Sequence, residues 1–267
     1  MKKSVFLTIA LMITMFSFGQ KKEARPVSNF TGIDASSVFH ITVTKGSVES
    51  LVIEADDAIM NEVRSEVRNG VLRLYLDKSL QNRTKNIKTL KAYVVMRELD
   101  KVSLSGVCSL SSDDLFTPQG FTGSCSGVSN MSIHLDTKRL SVGASGSSKM
   151  DIKALVLGDT KVDVSGNSKI QLDIQGATVK LSSSGASSIG IAGSATDVKI
   201  DISGNAGIKG NDFSAQKATI SASGASSVTI GVLEALKAST SGASKVNYIG
   251  TPTKQISSSG ASKVRSL

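Results

Sequence analysis

Ser184-Gly185-Ala186-Ser187-Ser188-Ile189 is one copy of a motif, Ser-Gly-x-small, that occurs nine times between Ser105 and Lys263. Its glycines are Gly106, Gly127, Gly146, Gly166, Gly185, Gly204, Gly224, Gly242 and Gly260. Their successive spacings are 21, 19, 20, 19, 19, 20, 18 and 18 residues. So short and regular a period marks a solenoid, in which each repeat is one turn that cannot bury its apolar face alone.

Alignment on glycine sorts the remaining positions. Four residues after it stand Leu110, Met131, Met150, Ile170, Ile189, Ile208, Val228, Val246 and Val264, all apolar. Four before it stand Val102, Gly123, Val142, Val162, Leu181, Ile200, Ile220, Ala238 and Ile256, apolar but for one glycine. Lysine, aspartate and serine fill the positions between, as in Lys161-Val162-Asp163-Val164. That alternation is the period of a strand with one face inward. Neighbouring turns then pair in parallel, and nine turns at about 4.8 Å make a rod of roughly 40 Å.

The motif itself reads as the corner. Glycine takes the positive φ of a sharp bend without a β-carbon penalty. The preceding serine can bond locally through its hydroxyl, and only small residues occur two places after the glycine. Serine in stacked copies is a structural ladder before it is a set of nucleophiles. The predicted fold is all-β, a single-stranded parallel β-helix (β-solenoid) with about nine regular turns and an irregular N-terminal cap. A right-handed coil is expected, because parallel crossovers favour that hand.

Residues 1–19 read as a signal peptide. Lys2 and Lys3 precede an uncharged run from Val5 to Phe18, and Ser17-Phe18-Gly19 supplies small residues for cleavage. The run is short for a membrane span and a charged segment follows at once. The remaining expected divisions are a short exported linker over 20–29, a cap with irregular first turns over 30–100, and regular repeats over 101–267. Residues 30–267 then form one continuous domain. Within the cap, Val38 to Thr44, Leu51 to Ala55 and Ala92 to Met96 read as strands, and Asp56 to Asn61 as a helical turn. Asn69-Gly70 between two alternating runs signals a hairpin, and Gln81 to Lys88 a polar loop.

The formal charge is +9, or +7 once Lys2 and Lys3 are removed. A basic exported protein attracts anionic glycans or headgroups. Nucleic acid is disfavoured by export and by the shortage of stacking rings: there is no Trp, and the tyrosines are Tyr75, Tyr93 and Tyr248. Cys108 and Cys125 fall in consecutive turns, on opposite sides of the corner. An oxidising compartment permits a disulfide, yet that offset can exceed the ~7 Å Cα limit, so two buried thiols are the default expectation.

The chain offers little catalytic chemistry. Asp163 and Asp201 share an outward column, but Ser182 stands between them. His40 and His134 have no ligand-like spacing, and neither a nucleophile elbow nor a phosphate-binding loop occurs. No cofactor or metal is implied. Three places after glycine, Lys149 and Lys169, and again Lys245 and Lys263, occupy adjacent turns. Stacked lysines repel modestly, and an anionic polysaccharide or cell-surface glycan would relieve them.

Ser-Gly-Ala-Ser-Ser-Ile, Ser-Gly-Asn-Ser-Lys-Ile and Ser-Gly-Ala-Ser-Lys-Val at this spacing, with Asn247-Tyr248-Ile249-Gly250-Thr251-Pro252 before a last repeat, resemble the putative auto-transporter adhesin, head GIN domain family. So does Val71-Leu72-Arg73-Leu74 after Asn69-Gly70, and the likeness spans roughly Phe30 to Leu267. The resemblance implies an exported bacterial β-helix with an adhesin role and carries no catalytic residue. The expectation is a non-enzymatic envelope protein of a Gram-negative cell, in the periplasm, on the outer surface or secreted, that serves adhesion or glycan binding. The rival readings are a polysaccharide lyase or hydrolase on the same fold, and a scaffold that self-associates through the solenoid ends.

Overall fold

The computed structural model describes residues 20–77 and 87–267. The expected signal peptide therefore lies outside the described residues, as do residues 81–86 of the expected polar loop. The described chain is all-β, apart from one helical turn, α1 (Asp57–Met60). Its first strands are β1 (Gln20–Arg25), β2 (Gly32–Ala35), β3 (His40–Lys45), β4 (Ser50–Asp56), β5 (Val63–Arg68), β6 (Val71–Leu76) and β7 (Leu90–Met96). The lower turns follow as β8 (Lys101–Leu104), β9 (Ser109–Phe116), β10 (Phe121–Cys125), β11 (Asn130–Thr137), β12 (Leu140–Ala144), β13 (Lys149–Val156) and β14 (Asp159–Val164). Higher up, each turn is nearly one long strand: β15 (Lys169–Ser183), β16 (Ser188–Ile202), β17 (Gly207–Ala222) and β18 (Ser227–Thr240). Three short strands finish it: β19 (Lys245–Ile249), β20 (Thr253–Ser258) and β21 (Lys263–Ser266).

Every turn has two arms that meet at a corner, a glycine in all but the first, and each arm stacks in parallel on the turn below. One arm runs β2, β8, β10, β12, β14 and on through the later halves of β15 to β18 to β20. The other runs β3, β9, β11, β13 and on through the earlier halves of the same strands to β19 and β21. The expected β-solenoid of stacked parallel turns is thus the fold.

The corners obey a stricter rule than backbone freedom alone. All nine glycines have φ between +68° and +79°. A β-carbon on any of them would also lie closer than 3.0 Å to the carbonyl oxygen of the corner residue one turn below. That closeness lets the next amide bond downward, as in Ala186 N–H to Gly166 O at 2.8 Å and Ala225 N–H to Gly204 O at 2.9 Å. Two places on, the buried hydroxyl closes the bend: Ser148 donates to Ser145 O at 2.7 Å, and Ser187 to Ser184 O at 2.7 Å. The serine before glycine therefore contributes mainly its carbonyl, not the hydroxyl expected from the sequence.

Inward columns fill the rod. Val142, Val162, Leu181, Ile200 and Ile220 are buried above Ile33 and Val102, and Met150, Ile170, Ile189 and Ile208 on the facing arm. At the one break in the first column, a β-carbon on Gly123 would stand 2.8 Å from the Phe121 ring, which occupies the space and is itself buried. Cys108 and Cys125 are free, buried thiols.

The cap departs from chain order. Residues 32–45 already form a regular turn, whose corner is Ser37 at φ +88°. Val107 N–H donates to Ser37 O at 2.7 Å, the same bond that joins the glycine corners. Beneath this turn lie strands from later in the sequence, β6 under β2 and β7 under β3, both parallel. The hairpin β5–β6 closes one arm, with Asn69 (φ +50°) and Gly70 (φ +74°) at its tip. The antiparallel strands β4 and β1 close the other. The segment 20–25, expected within a linker, is therefore an edge strand. Its Lys22 reaches Glu54 at 3.4 Å, and Arg25 lies 2.7 Å from Glu23.

Candidate functional site: an outward groove along the corner

The four lysines singled out in the sequence are all exposed. Lys149 and Lys169 are register partners, and so are Lys245 and Lys263. The structure does not join the two pairs. Ser188, Gly207 and Ser227 occupy the same column between them. Lys169 borders a hollow of about 260 Å³ shared with Lys209 and Asp212, and the Gln171 side chain lies over Gly190 beside it.

A larger feature lies on the opposite flank of the corner. An open groove of about 750 Å³ runs parallel to the rod from Ser124 to Ser241, across seven turns. Six rungs of about 4.8 Å give it a length near 29 Å. Its wall is the column three before glycine: Ser124, Gly143, Asp163, Ser182, Asp201, Ser221 and Ser239. Its other wall is the column one before glycine: Ser126, Ser145, Ser165, Ser184, Ser203, Ser223 and Ser241. The floor is the inward position between them, which runs Cys125, Ala144, Val164, Ser183, Ile202 and Ala222.

Outward serines in two columns present rows of hydroxyls at strand spacing. Two carboxylates interrupt them, and each is tied to a lysine of its own turn. Lys161 lies 2.9 Å from Asp163 and Lys199 lies 3.6 Å from Asp201. Lys161, Lys180 and Lys199 are successive partners in one column beside the groove. Lys180 has Ser182 beside it where the turns above and below have aspartate.

The arrangement suits hydrogen bonding better than acid–base chemistry. Asp163 and Asp201 stand two rungs apart, roughly 10 Å. Glycoside hydrolysis needs two carboxyls in unlike surroundings, one held protonated and one not. These two have like surroundings: both are partly exposed and both sit beside a lysine. Among the described residues, no group of three or more His, Cys, Asp or Glu side chains could hold a metal ion. His40 accepts or donates to Ser109 Oγ at 2.7 Å, while His134 stands in register between Leu115 and Lys153, so the two histidines are not brought together.

The sequence contained the signal for this groove. Serine at both outward positions before the glycine recurs as Ser103/Ser105, Ser124/Ser126, Ser182/Ser184, Ser221/Ser223 and Ser239/Ser241. Reading the second of each pair as a corner bond concealed that both face solvent.

Known structures share this architecture. A crystal structure of a putative adhesin from Parabacteroides merdae is 14% identical, with a TM-score of 0.69, and the match covers 93% of this chain and 96% of that one. A putative adhesin from Parabacteroides distasonis is 15% identical, with a TM-score of 0.71 and coverage of 93% and 97%. A putative lipid binding protein from the same species is 17% identical, with a TM-score of 0.70 and coverage of 93% and 97%. At such identities the likeness is one of fold. No curated protein matches the chain. A family model matches it twice, over 29–157 and 155–252, which takes in the capped base and every turn but the last. On that match the chain belongs to the putative auto-transporter adhesin, head GIN domain family.

Proposed function

We propose that this protein is a non-enzymatic adhesin of the cell envelope, exported by its N-terminal segment, and that it binds a surface glycan along the corner groove. The observation that carries the reading is the groove itself. It follows the stacked corners over seven turns, is about 750 Å³ in volume, and is lined by serine hydroxyls and two aspartates at regular spacing. A pyranose chain presents hydroxyls along its length, and paired hydroxyl and carboxylate groups satisfy them without any reaction. The family's name points to adhesion, and among the described residues no helix is long and apolar enough to cross a membrane.

The groove makes its own demand on the ligand. Its lining holds carboxylates and no lysine, so the stretch from Ser124 to Ser241 favours neutral sugars. The test is binding of the purified protein to a panel of neutral and acidic oligosaccharides, with Ser182→Trp and Ser221→Trp filling the groove from outward positions. The reading expects loss of neutral-glycan binding in both variants with unchanged circular dichroism. Full retention of binding in folded variants would remove the groove from the function.

A further inference from the structure

A second pocket adjoins the N-terminal end of the groove, and its chemistry is different. It has a volume of about 450 Å³ and is lined by Asp34, Arg68, Asn69, Val71, Arg73, Lys101 and Ser103. We infer that this pocket takes an anionic group of the bound glycan, a uronate carboxylate or a sulfate, and so fixes which end of the sugar chain lies at the base of the rod. The inference rests on the groove reading above.

Strand register explains the pocket. Across β5, β6, β2 and β8, one outward column reads Arg68, Val71, Gly32, Lys101. The neighbouring column reads Glu66, Arg73, Asp34, Ser103. Gly32 has no side chain at the centre of the first column. A β-carbon there would lie 3.1 Å from Val71 Cγ2 and 3.3 Å from Lys101 Cβ, so its neighbours close over it without a gap. That column has Val71 within it and a cation at each end.

The second column is an ion chain. Arg73 lies 3.5 Å from Asp34 and 4.0 Å from Glu66, and Glu66 also holds Arg68 at 2.9 Å. Two carboxylates therefore serve two guanidinium groups. Lys101 has no carboxylate within ion-pair distance among the described residues, and it leaves the cluster with one uncompensated positive charge. Arg68 and Arg73 supply planar donor pairs that match carboxylate and sulfate oxygens, and Lys101 supplies the unneutralised charge. The apolar patch of Val71 suits the C–H face of a sugar ring.

The pocket and the groove are continuous. Ser103 lines the pocket, Ser124 begins the groove, and the two are register partners whose hydroxyls bond at 3.2 Å. A chain lying on the serine columns reaches the basic cluster without leaving the surface. Acidic sugar then sits at one end and neutral sugar along the rest, an asymmetry that neither site alone would impose. The corner lysines, on the other flank, take no part.

The experiment is isothermal titration of the full protein with oligogalacturonate, with a sulfated oligosaccharide and with a carboxyl-reduced neutral counterpart, at two salt concentrations. Arg68→Gln/Lys101→Gln should weaken the acidic ligands by about tenfold or more and blunt their salt dependence, while leaving the neutral counterpart unchanged. Arg73→Gln is kept apart because Arg73 bridges both carboxylates, whereas Arg68 pairs with Glu66 alone at the end of the ion chain. Lys149→Gln/Lys169→Gln should change nothing. Equal affinity of the double variant and the wild type for acidic ligands overturns the inference, and so does equal loss on the neutral one. Absence of any acidic ligand binding at millimolar concentration also overturns it. Loss of neutral binding in Ser182→Trp, with acidic selectivity absent, would leave the groove reading standing and the pocket inference refuted. Retained acidic selectivity with Ser182→Trp silent would refute the groove alone.

Discussion

Gly166 O lies 2.8 Å from the point where a β-carbon on Gly185 would stand, while the next amide, Ala186 N–H, donates to that same oxygen at 2.8 Å. The bond that stacks one corner on another thus requires the absence of a side chain at the residue before it. Space and backbone conformation impose the same residue.

Gly185→Val should therefore cost about 1–3 kcal/mol, from positive φ and from displacement of the stacked corner. Ser183→Ala, which removes a buried 2.7 Å hydroxyl bond to Ser187, should cost about 1 kcal/mol or less. Chemical-denaturation midpoints compare the two. A valine variant as stable as wild type would mean that the corner does not stack as described.

Ser37 and Gly106 separate the two demands. Ser37 has the positive φ, at +88°, but no corner residue beneath it among the described residues. Gly106 has both constraints, with Ser37 O 2.5 Å from its would-be β-carbon. Ser37→Gly is expected to be neutral or stabilising by up to about 1 kcal/mol, whereas Gly106→Ser should destabilise by more than that. Thermal melts of the two single variants check the difference in sign.

Burial pushes the Cys108 thiol up to about 11 and the Cys125 thiol up to about 12. Below the ordinary unfolded thiol value near ~8.5, both states hold the proton and stability is unaffected. As pH rises past it, the unfolded chain ionises first, so stability falls towards the folded values. The variant Cys108→Ala/Cys125→Ala should show less of that alkaline decline in pH-dependent unfolding. At pH 8 a thiol-reactive dye should label the unfolded protein and leave the native one unlabelled. Rapid native labelling would contradict the burial of both groups.

Glu54 ties the lowest strands together. Its carboxylate accepts from the Tyr93 hydroxyl at 2.9 Å and pairs with Lys22 at 3.4 Å and Lys91 at 3.6 Å. Burial alone would raise its pKa, but the Tyr93 hydrogen bond and Lys22 outweigh it and hold the carboxyl below the usual 4.5. A depressed value gives stability that is present above 4.5 and lost as pH falls through the folded value. Glu54→Gln should accordingly lose stability at pH 7 and approach wild type at pH 3. An equal loss at both pH values would assign the effect to packing instead of charge.

The rod was legible because one residue type recurs at one spacing, and a corner that excludes side chains cannot disguise itself. The first turn escaped notice for the complementary reason. At Ser37, with no corner beneath it among the described residues, serine serves and the periodic mark disappears. Alternation identified β6 and β7 as strands, but nothing local says that they slide beneath β2 and β3. That placement depends on partners separated by tens of residues, such as Gly32 with Val71. The lysine columns were also correct as columns. The groove was missed because its serines resembled corner residues, and the basic pocket because its cations come from the β5–β6 hairpin and from β8, which meet only through β2.

Register fixes where the gene can lengthen this protein. Above Cys108, every partner in the next turn lies 17 to 21 residues away, as with Ser188 and Lys169 or Lys245 and Lys263. Duplicating one such segment inserts a whole rung whose new neighbours are copies of the old. Between Lys45 and Ser109 no such exchange exists, because His40 must close onto Ser109 across everything that builds the base. Closing that one long loop costs only about 1 kcal/mol more than closing a repeat-sized one. The base therefore changes only as an indivisible unit, whereas the length of the rod can change in steps of about 5 Å.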